Sequence, residues 1–167
     1  MAARFQLFLV VALLNSLLAV ATPGFAAIGG QPNPADVQAI DACVGDAMTA
    51  KSDPGACIGA VSGPCLKSAS TTAAMVQCNN REFLVWQAAL NRDSARLMAR
   101  LTDDHAKQML REVQRAFFVY QLQQCTFERT AHKDAPPALV AAARCQARAS
   151  ARYDLWLIEQ INAFAPP

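Results

Sequence analysis

Two histidines are all that this chain contains, and neither sits in a recognisable catalytic motif. His105 and His132 both fall in polar turns beside charged residues. His-Glu-x-x-His, Gly-x-Ser-x-Gly, Ser-x-x-Lys and Cys-x-x-Cys are all missing. That removes the usual signatures of zinc peptidases, α/β-hydrolases, active-serine penicillin-binding enzymes and thioredoxin-like redox proteins. Nucleophilic catalysis needs a base aimed at a nucleophile, and no such pair can be placed. The sequence therefore reads as a non-enzyme without a cofactor or metal. No segment alternates apolar and polar residues as a half-buried strand does. There is no internal repeat and no linker long enough to divide the chain.

Cysteine is absent from the first 42 residues, and all six cysteines lie beyond them. The cysteine-free start is an apolar run from Phe5 to Val20, preceded by Arg4 and broken by Pro23 and Gly24. This is the layout of a secretory signal peptide. Sixteen residues interrupted by Asn15 fall short of the roughly 20 that cross a bilayer. Small residues permit cleavage after Ala26 or after Ala21. With no cysteine nearby, a lipid-anchored N-terminus is not expected. The chain is assigned as signal peptide (1–26), flexible lead-in (27–33) and one domain (34–164). Its expected location is periplasmic or secreted, with no membrane span in the mature chain.

Charge is scarce and nearly balanced. Without Arg4 the chain keeps 14 basic and 13 acidic side chains, a net of about +1. The basic groups concentrate from Arg81 onward, but the tilt is far below the footprint of a nucleic-acid binder.

What the mature chain does have is helix punctuation. Asn33-Pro34 and Asp53-Pro54 each pair an N-cap residue with Pro at the first helical position. The first opens a helix carrying Val37, Ile40, Val44 and Met48. The second opens a short one through Ile58 and Val61, which Gly63-Pro64 should break or kink. Ser70-Thr71-Thr72 starts a long run to Leu101, with Val76, Phe83, Trp86, Leu90, Leu97 and Leu101 on one face. Thr102-Asp103-Asp104 ends that run and caps a fourth helix. This helix has Ala106, Leu110, Val113, Phe117 and Tyr120 on its inward stripe and ends near Cys125. After a loop containing Pro136-Pro137, a last helix runs from Ala138 to about Asn162. The expected fold is all-α, a disulfide-stapled bundle of four to five helices.

Six cysteines in an oxidising compartment read as a disulfide framework. The closest pair, Cys57 and Cys65, has seven intervening residues, too wide for the close pairs of structural zinc sites. Six cysteines allow 15 pairings. Local geometry favours Cys43–Cys57, Cys65–Cys78 and Cys125–Cys145, each flanking a turn, while a swapped arrangement of the first four stays open. Loops of this size would each remove roughly 3 kcal/mol of unfolded-state entropy.

Cys65, Cys78, Glu82, Trp86, Leu90-Asn91 and Leu97, followed by Leu110, Val113-Gln114-Arg115-Ala116-Phe117, Tyr120, Cys125, Cys145 and Arg152, resemble the lysozyme-inhibitor LprI-like N-terminal domain. Cys43 with Cys57-Ile58-Gly59 resembles an N-terminal extension of some bacterial members. The resemblance spans roughly Cys43 to Leu157. It implies a helical, secreted or periplasmic, non-enzymatic envelope protein that binds and blocks a muramidase. The chain departs from that pattern at Gln87, where the family has Asp, at Ser94, where it has Tyr, and at Gln121-Leu122, where it has Arg-Asp. These positions formed either a binding surface, now lost, or a buried polar network, now replaced by weaker hydrogen bonds and apolar contact.

Two groups of residues are candidates for meeting a partner. Glu82 and Trp86 are either an exposed carboxylate and aromatic anchor or a core tryptophan and a glutamate paired to an arginine or a helix end; Arg115, near Tyr120, either reaches a partner carboxylate or sits in a charge pair within the bundle. Arg92, Arg96 and Arg100 form one of three basic stripes at i+4 spacing; the others are Lys107, Arg111, Arg115 and Arg144, Arg148, Arg152. Like charges one turn apart weaken a helix by a few tenths of a kcal/mol per pair. Either cross-helix carboxylates offset this, or a face meets an anionic envelope polymer or an acidic protein patch. The expected partner is a lysozyme or other envelope protein, or alternatively that polymer.

Overall fold

A computed structural model describes residues 30–133 and 135–164. The signal peptide assigned to 1–26, and the start of the lead-in, lie outside the described residues. Five helices, α1 (Pro34–Thr49), α2 (Ser62–Ser68), α3 (Thr72–Arg100), α4 (Asp104–Ala131) and α5 (Pro136–Ala163), follow one another, with a 3₁₀ turn at Pro54–Cys57 and no strand among the described residues. The architecture is the all-α, disulfide-stapled bundle expected from the sequence.

Each start signal is used. Asn33 accepts the Ala35 N–H at 2.9 Å, Asp53 the Gly55 N–H at 2.7 Å, Thr71 the Ala74 N–H at 3.1 Å and Asp103 the Ala106 N–H at 2.7 Å. These satisfy donors that the first helical turn leaves unpaired.

Four boundaries differ from the sequence expectation. The short helix expected from Asp53-Pro54 through Val61 is only the 3₁₀ turn, because the chain is already extended at Ile58. Gly63-Pro64 does not break a helix; it lies in the first turn of α2, where a missing N–H costs nothing. Pro136-Pro137 likewise opens α5 rather than sitting in a loop before it. α4 runs six residues past Cys125 to Ala131, because nothing from Thr126 to Ala131 is a glycine or proline.

α5 is the central element. It runs parallel to α3, pairing Trp86 with Ala151 in one core cluster and Leu97 with Ile161 in another. Its buried alanines, Ala138, Ala141, Ala147 and Ala151 among them, let neighbouring backbones approach closely. α1 and the 3₁₀ turn cover the first cluster, built on Ile40, Val44, Cys57, Val61, Val85 and Trp86. The second holds Leu90, Leu97, Leu110, Tyr153, Leu157 and Ile161.

α4 is antiparallel to α5 and packs almost wholly against it. Only Leu110 and Cys125 of its 28 residues are buried. The inward stripe expected of this helix is therefore half right. Leu110 and Phe117 face α5, but Val113 and Tyr120 are exposed. Periodicity located an apolar face, and no neighbour covers all of it.

The disulfides are Cys43–Cys57, Cys65–Cys78 and Cys125–Cys145, with Cα–Cα distances of 5.8, 5.5 and 5.4 Å. The swapped arrangement of the first four is not adopted. With so little burial on α4, the Cys125–Cys145 bridge carries much of its attachment. Replacing both cysteines by alanine is expected to cost about 3 kcal/mol. In hydrogen exchange, α4 amides should then lose protection while α3 amides keep theirs. Equal protection on both helices would show that packing alone retains α4.

Candidate functional site

Glu82 and Trp86 are both buried, at 1% and 0% exposure. This corrects the reading of the pair as a surface anchor. Glu82 Oε1 accepts the Gly59 N–H at 2.7 Å and the Trp86 Nε1–H at 3.2 Å. Its Oε2 accepts the Val61 and Ser62 N–H groups at 3.2 and 2.7 Å. α2 has no side-chain cap of its own, so a carboxylate from α3 caps it, at the positive end of the helix dipole. Gly59 holds φ at +104°, a backbone state that side chains disfavour, and this turns its N–H toward Glu82. The carboxylate is a structural keystone with all four donors inside the protein.

The first arginine stripe is exposed but already paired. Asp93 is fully buried. It accepts from Arg96 at 2.6 Å and from Arg92 at 3.0 Å, and Arg92 also reaches Asp41 at 3.4 Å. Arg100 donates to the Ile161 carbonyl. Arg96 thus pairs within α3, Arg92 also reaches Asp41 of α1, and Arg100 reaches the backbone of α5.

Sequence reasoning missed the neighbour of Asp93. Asp154, from α5, is buried with one carboxylate oxygen unpartnered. Burial, and then the Asp93 carboxylate, push its pKa up to about 7. A signal was present: each aspartate interrupts an apolar helix face, between Leu90 and Leu97 and between Ala151 and Leu157.

The departures from the family pattern fall in different places. Ser94 is buried with no partner for its hydroxyl. Gln121 donates to the Gln146 carbonyl at 3.1 Å and to Ser150 Oγ at 2.8 Å, linking α4 to α5. Leu122 is exposed and Gln87 half-buried.

Tyr120 and Arg115 lie apart from Glu82 and Trp86, on α4. Arg115 is exposed, without an ion-pair or hydrogen-bond partner for its side chain among the described residues. Tyr120 is 59% exposed and forms one wall of an open groove between α4 and α5. Phe117, Tyr120 and Gln124 line it from α4, and Ala149, Arg152, Tyr153 and Trp156 from α5, around a volume of about 240 Å³. Its floor is an aromatic row. Phe117 stacks on Tyr153 with centroids 4.1 Å apart, and Tyr153 lies 5.3 Å from Trp156. The Tyr153 hydroxyl is buried without a partner, and burial pushes its pKa up to about 12. Trp156 was not anticipated, although a scarce tryptophan one turn from Arg152 was visible in the sequence.

His105 and His132 are exposed, and no cluster of His, Cys, Asp or Glu among the described residues could hold a metal ion. No described helix is long and apolar enough to cross a membrane. Three disulfides fit an oxidising compartment.

No curated protein and no solved structure matches the chain. The family model described as Lysozyme inhibitor LprI matches residues 65–154, more than half of the 167 residues. That stretch holds Cys65–Cys78, the buried Glu82, Trp86 and Asp93, most of the aromatic groove and Cys125–Cys145. On this match the chain belongs to the lysozyme inhibitor LprI family.

Proposed function

We propose that the protein acts outside the cytoplasm by binding and blocking a muramidase, with no chemistry of its own. The family match over residues 65–154 carries this reading. The build of the molecule supports it. An inhibitor of this kind gains affinity by presenting a surface that loses little freedom on docking. Three disulfides and a central helix packed along α3 supply such a scaffold. The near-neutral charge argues against long-range capture of a strongly basic lysozyme, since steering depends on opposite net charge. Contact at close range is left as the source of affinity.

The test is an inhibition titration of the purified, oxidised protein, lacking residues 1–26, against chicken-type, goose-type and bacterial muramidases at low and physiological salt. Inhibition of at least one enzyme, surviving physiological salt, is expected. No inhibition of any of them at tens of micromolar would remove the reading.

The second reading is binding to an anionic envelope polymer. Arg115, Arg148 and Arg152 are exposed and unpaired, which favours it, while the partners already held by Arg92, Arg96 and Arg100 take away part of its original basis. It requires retention on lipopolysaccharide or cell-wall material that collapses with salt.

A further inference from the structure

We infer that the groove between α4 and α5 is the surface that meets the muramidase, with Arg152 as the contact made to its catalytic carboxylates. This deepens the muramidase reading above and rests on it.

An exposed apolar stripe of α4 leads into this groove. Val113, Tyr120 and Phe127 recur every seven residues along α4 and are all exposed, Phe127 at 71%. Residues at that spacing share one helix face and drift only about 20° per repeat. The stripe is on the order of 20 Å long at 1.5 Å per residue, and at Tyr120 it merges with the groove. A solvated helix does not ordinarily carry so much contiguous apolar surface, and such patches mark interaction sites.

Charge selects the partner. None of the residues lining the groove is acidic. Arg152 stands on its wall, exposed, with no ion pair or hydrogen bond to hold it among the described residues. Arg148 lies one turn away in the same state. The arginines of α3, in contrast, already have Asp93, Asp41 and the Ile161 carbonyl. Glycoside hydrolases flank the scissile bond with a pair of Asp or Glu side chains, roughly 5 to 9.5 Å apart. A guanidinium can fork onto such carboxylates, and its planar donors match them better than an ammonium does. An unpaired arginine beside Tyr120 and Trp156 also has the composition of an interface hot spot. The fit is local, so it does not require the two proteins to carry opposite net charge.

The experiment compares the unaltered protein with Arg152→Glu, Arg152→Lys, Tyr120→Ser and Lys67→Glu against the most sensitive muramidase. Displacement of a fluorescent chitotriose from the enzyme cleft provides a second readout. Lys67 is exposed on α2, outside the groove, so its reversal changes net charge as Arg152→Glu does without touching the groove. All four variants alter surface side chains, and thermal unfolding confirms that each folds. Arg152→Glu is expected to weaken inhibition about 30-fold or more, as hot-spot truncations do. Tyr120→Ser should weaken it about tenfold, Arg152→Lys should keep part of it, and Lys67→Glu should stay within about twofold of the unaltered protein. The unaltered protein should displace the sugar. Equal losses at Lys67 and Arg152 would mean that overall charge, and not the groove, governs binding. Unchanged inhibition in both groove variants would overturn the assignment while leaving the muramidase reading intact. A dimer dissociated by Tyr120→Ser with inhibition unaltered would assign the groove to self-association. If the unaltered protein inhibits nothing, the muramidase reading falls and this assignment falls with it.

Discussion

Glu82→Ala is expected to remove about 4 kcal/mol of stability. The carboxylate accepts four N–H groups, from Gly59, Val61, Ser62 and Trp86. Deleting it leaves those donors buried without partners, at about 1–3 kcal/mol for each fully desolvated group. Partial relaxation and water entry reduce the sum, since a cavity lined by donors can admit a solvent molecule. Glu82→Gln is the sharper test. Its amide has one acceptor oxygen and one NH₂, so one pair of donors keeps a partner and the other pair faces a competing donor. It should cost about 2 kcal/mol, lying between alanine and the native residue. Denaturant unfolding monitored by Trp fluorescence measures both. Native-like stability of Glu82→Gln would mean that the charge contributes nothing to the cap.

Asp154→Asn should act in the opposite direction, increasingly so as pH rises from about 4 to about 7. The folded pKa of Asp154 is raised from 3.8 to about 7. Between those values the folded state holds a proton that the unfolded chain has released. Stability therefore falls as pH rises through that window and reaches its lower plateau above about pH 7. The groups facing Asp154 set the size of the effect. Asp93 and Asp41 disfavour its charge and Arg92 favours it, while Arg96 is engaged by Asp93. About three pKa units correspond to a loss on the order of 3 kcal/mol, with screening by nearby water lowering it. An asparagine side chain carries no charge and can donate to Asp93, so the variant should be more stable than the native protein at pH 8.5 and nearly equal to it at about pH 3.5. Urea unfolding at the two pH values decides the matter. Parallel pH profiles for the two proteins would show that this carboxyl does not carry the dependence.

These two side chains also mark the limit of what the sequence disclosed. Helix starts were legible because a cap is a local device: Asn33, Asp53, Thr71 and Asp103 act within three residues of themselves. The disulfide partners were favoured for a similar reason, since each bridge closes across the turn between its own two cysteines. Glu82 was different. Its role depends on the backbone between Gly59 and Ser62, 20 to 23 residues away, and nothing local distinguishes it from an exposed glutamate. Pairing with a helix end was among the expectations for this residue, but the helix could not be named. Asp93 and Asp154 are far apart along the chain, and only the parallel packing of α3 and α5 brings them together. The stripe on α4 shows the converse limit. Val113, Phe117 and Tyr120 announced an apolar face, yet periodicity cannot say whether a neighbouring helix, or a different molecule, lies against it.

The order of the bridges has a consequence for how the chain matures. First cysteine pairs with second, third with fourth and fifth with sixth. For a chain delivered N-terminus first into an oxidising space, Cys57 arrives while Cys43 is the only other thiol present. Once that pair has closed, Cys78 finds only Cys65, and Cys145 finds only Cys125. Vectorial arrival then solves a pairing problem that has 15 answers for the full-length reduced chain. A simple oxidant suffices, without the slow reshuffling that non-consecutive bridges demand. Refolding from the fully reduced, denatured state lacks that ordering, so the route by which the thiols appear becomes part of the information that specifies the fold.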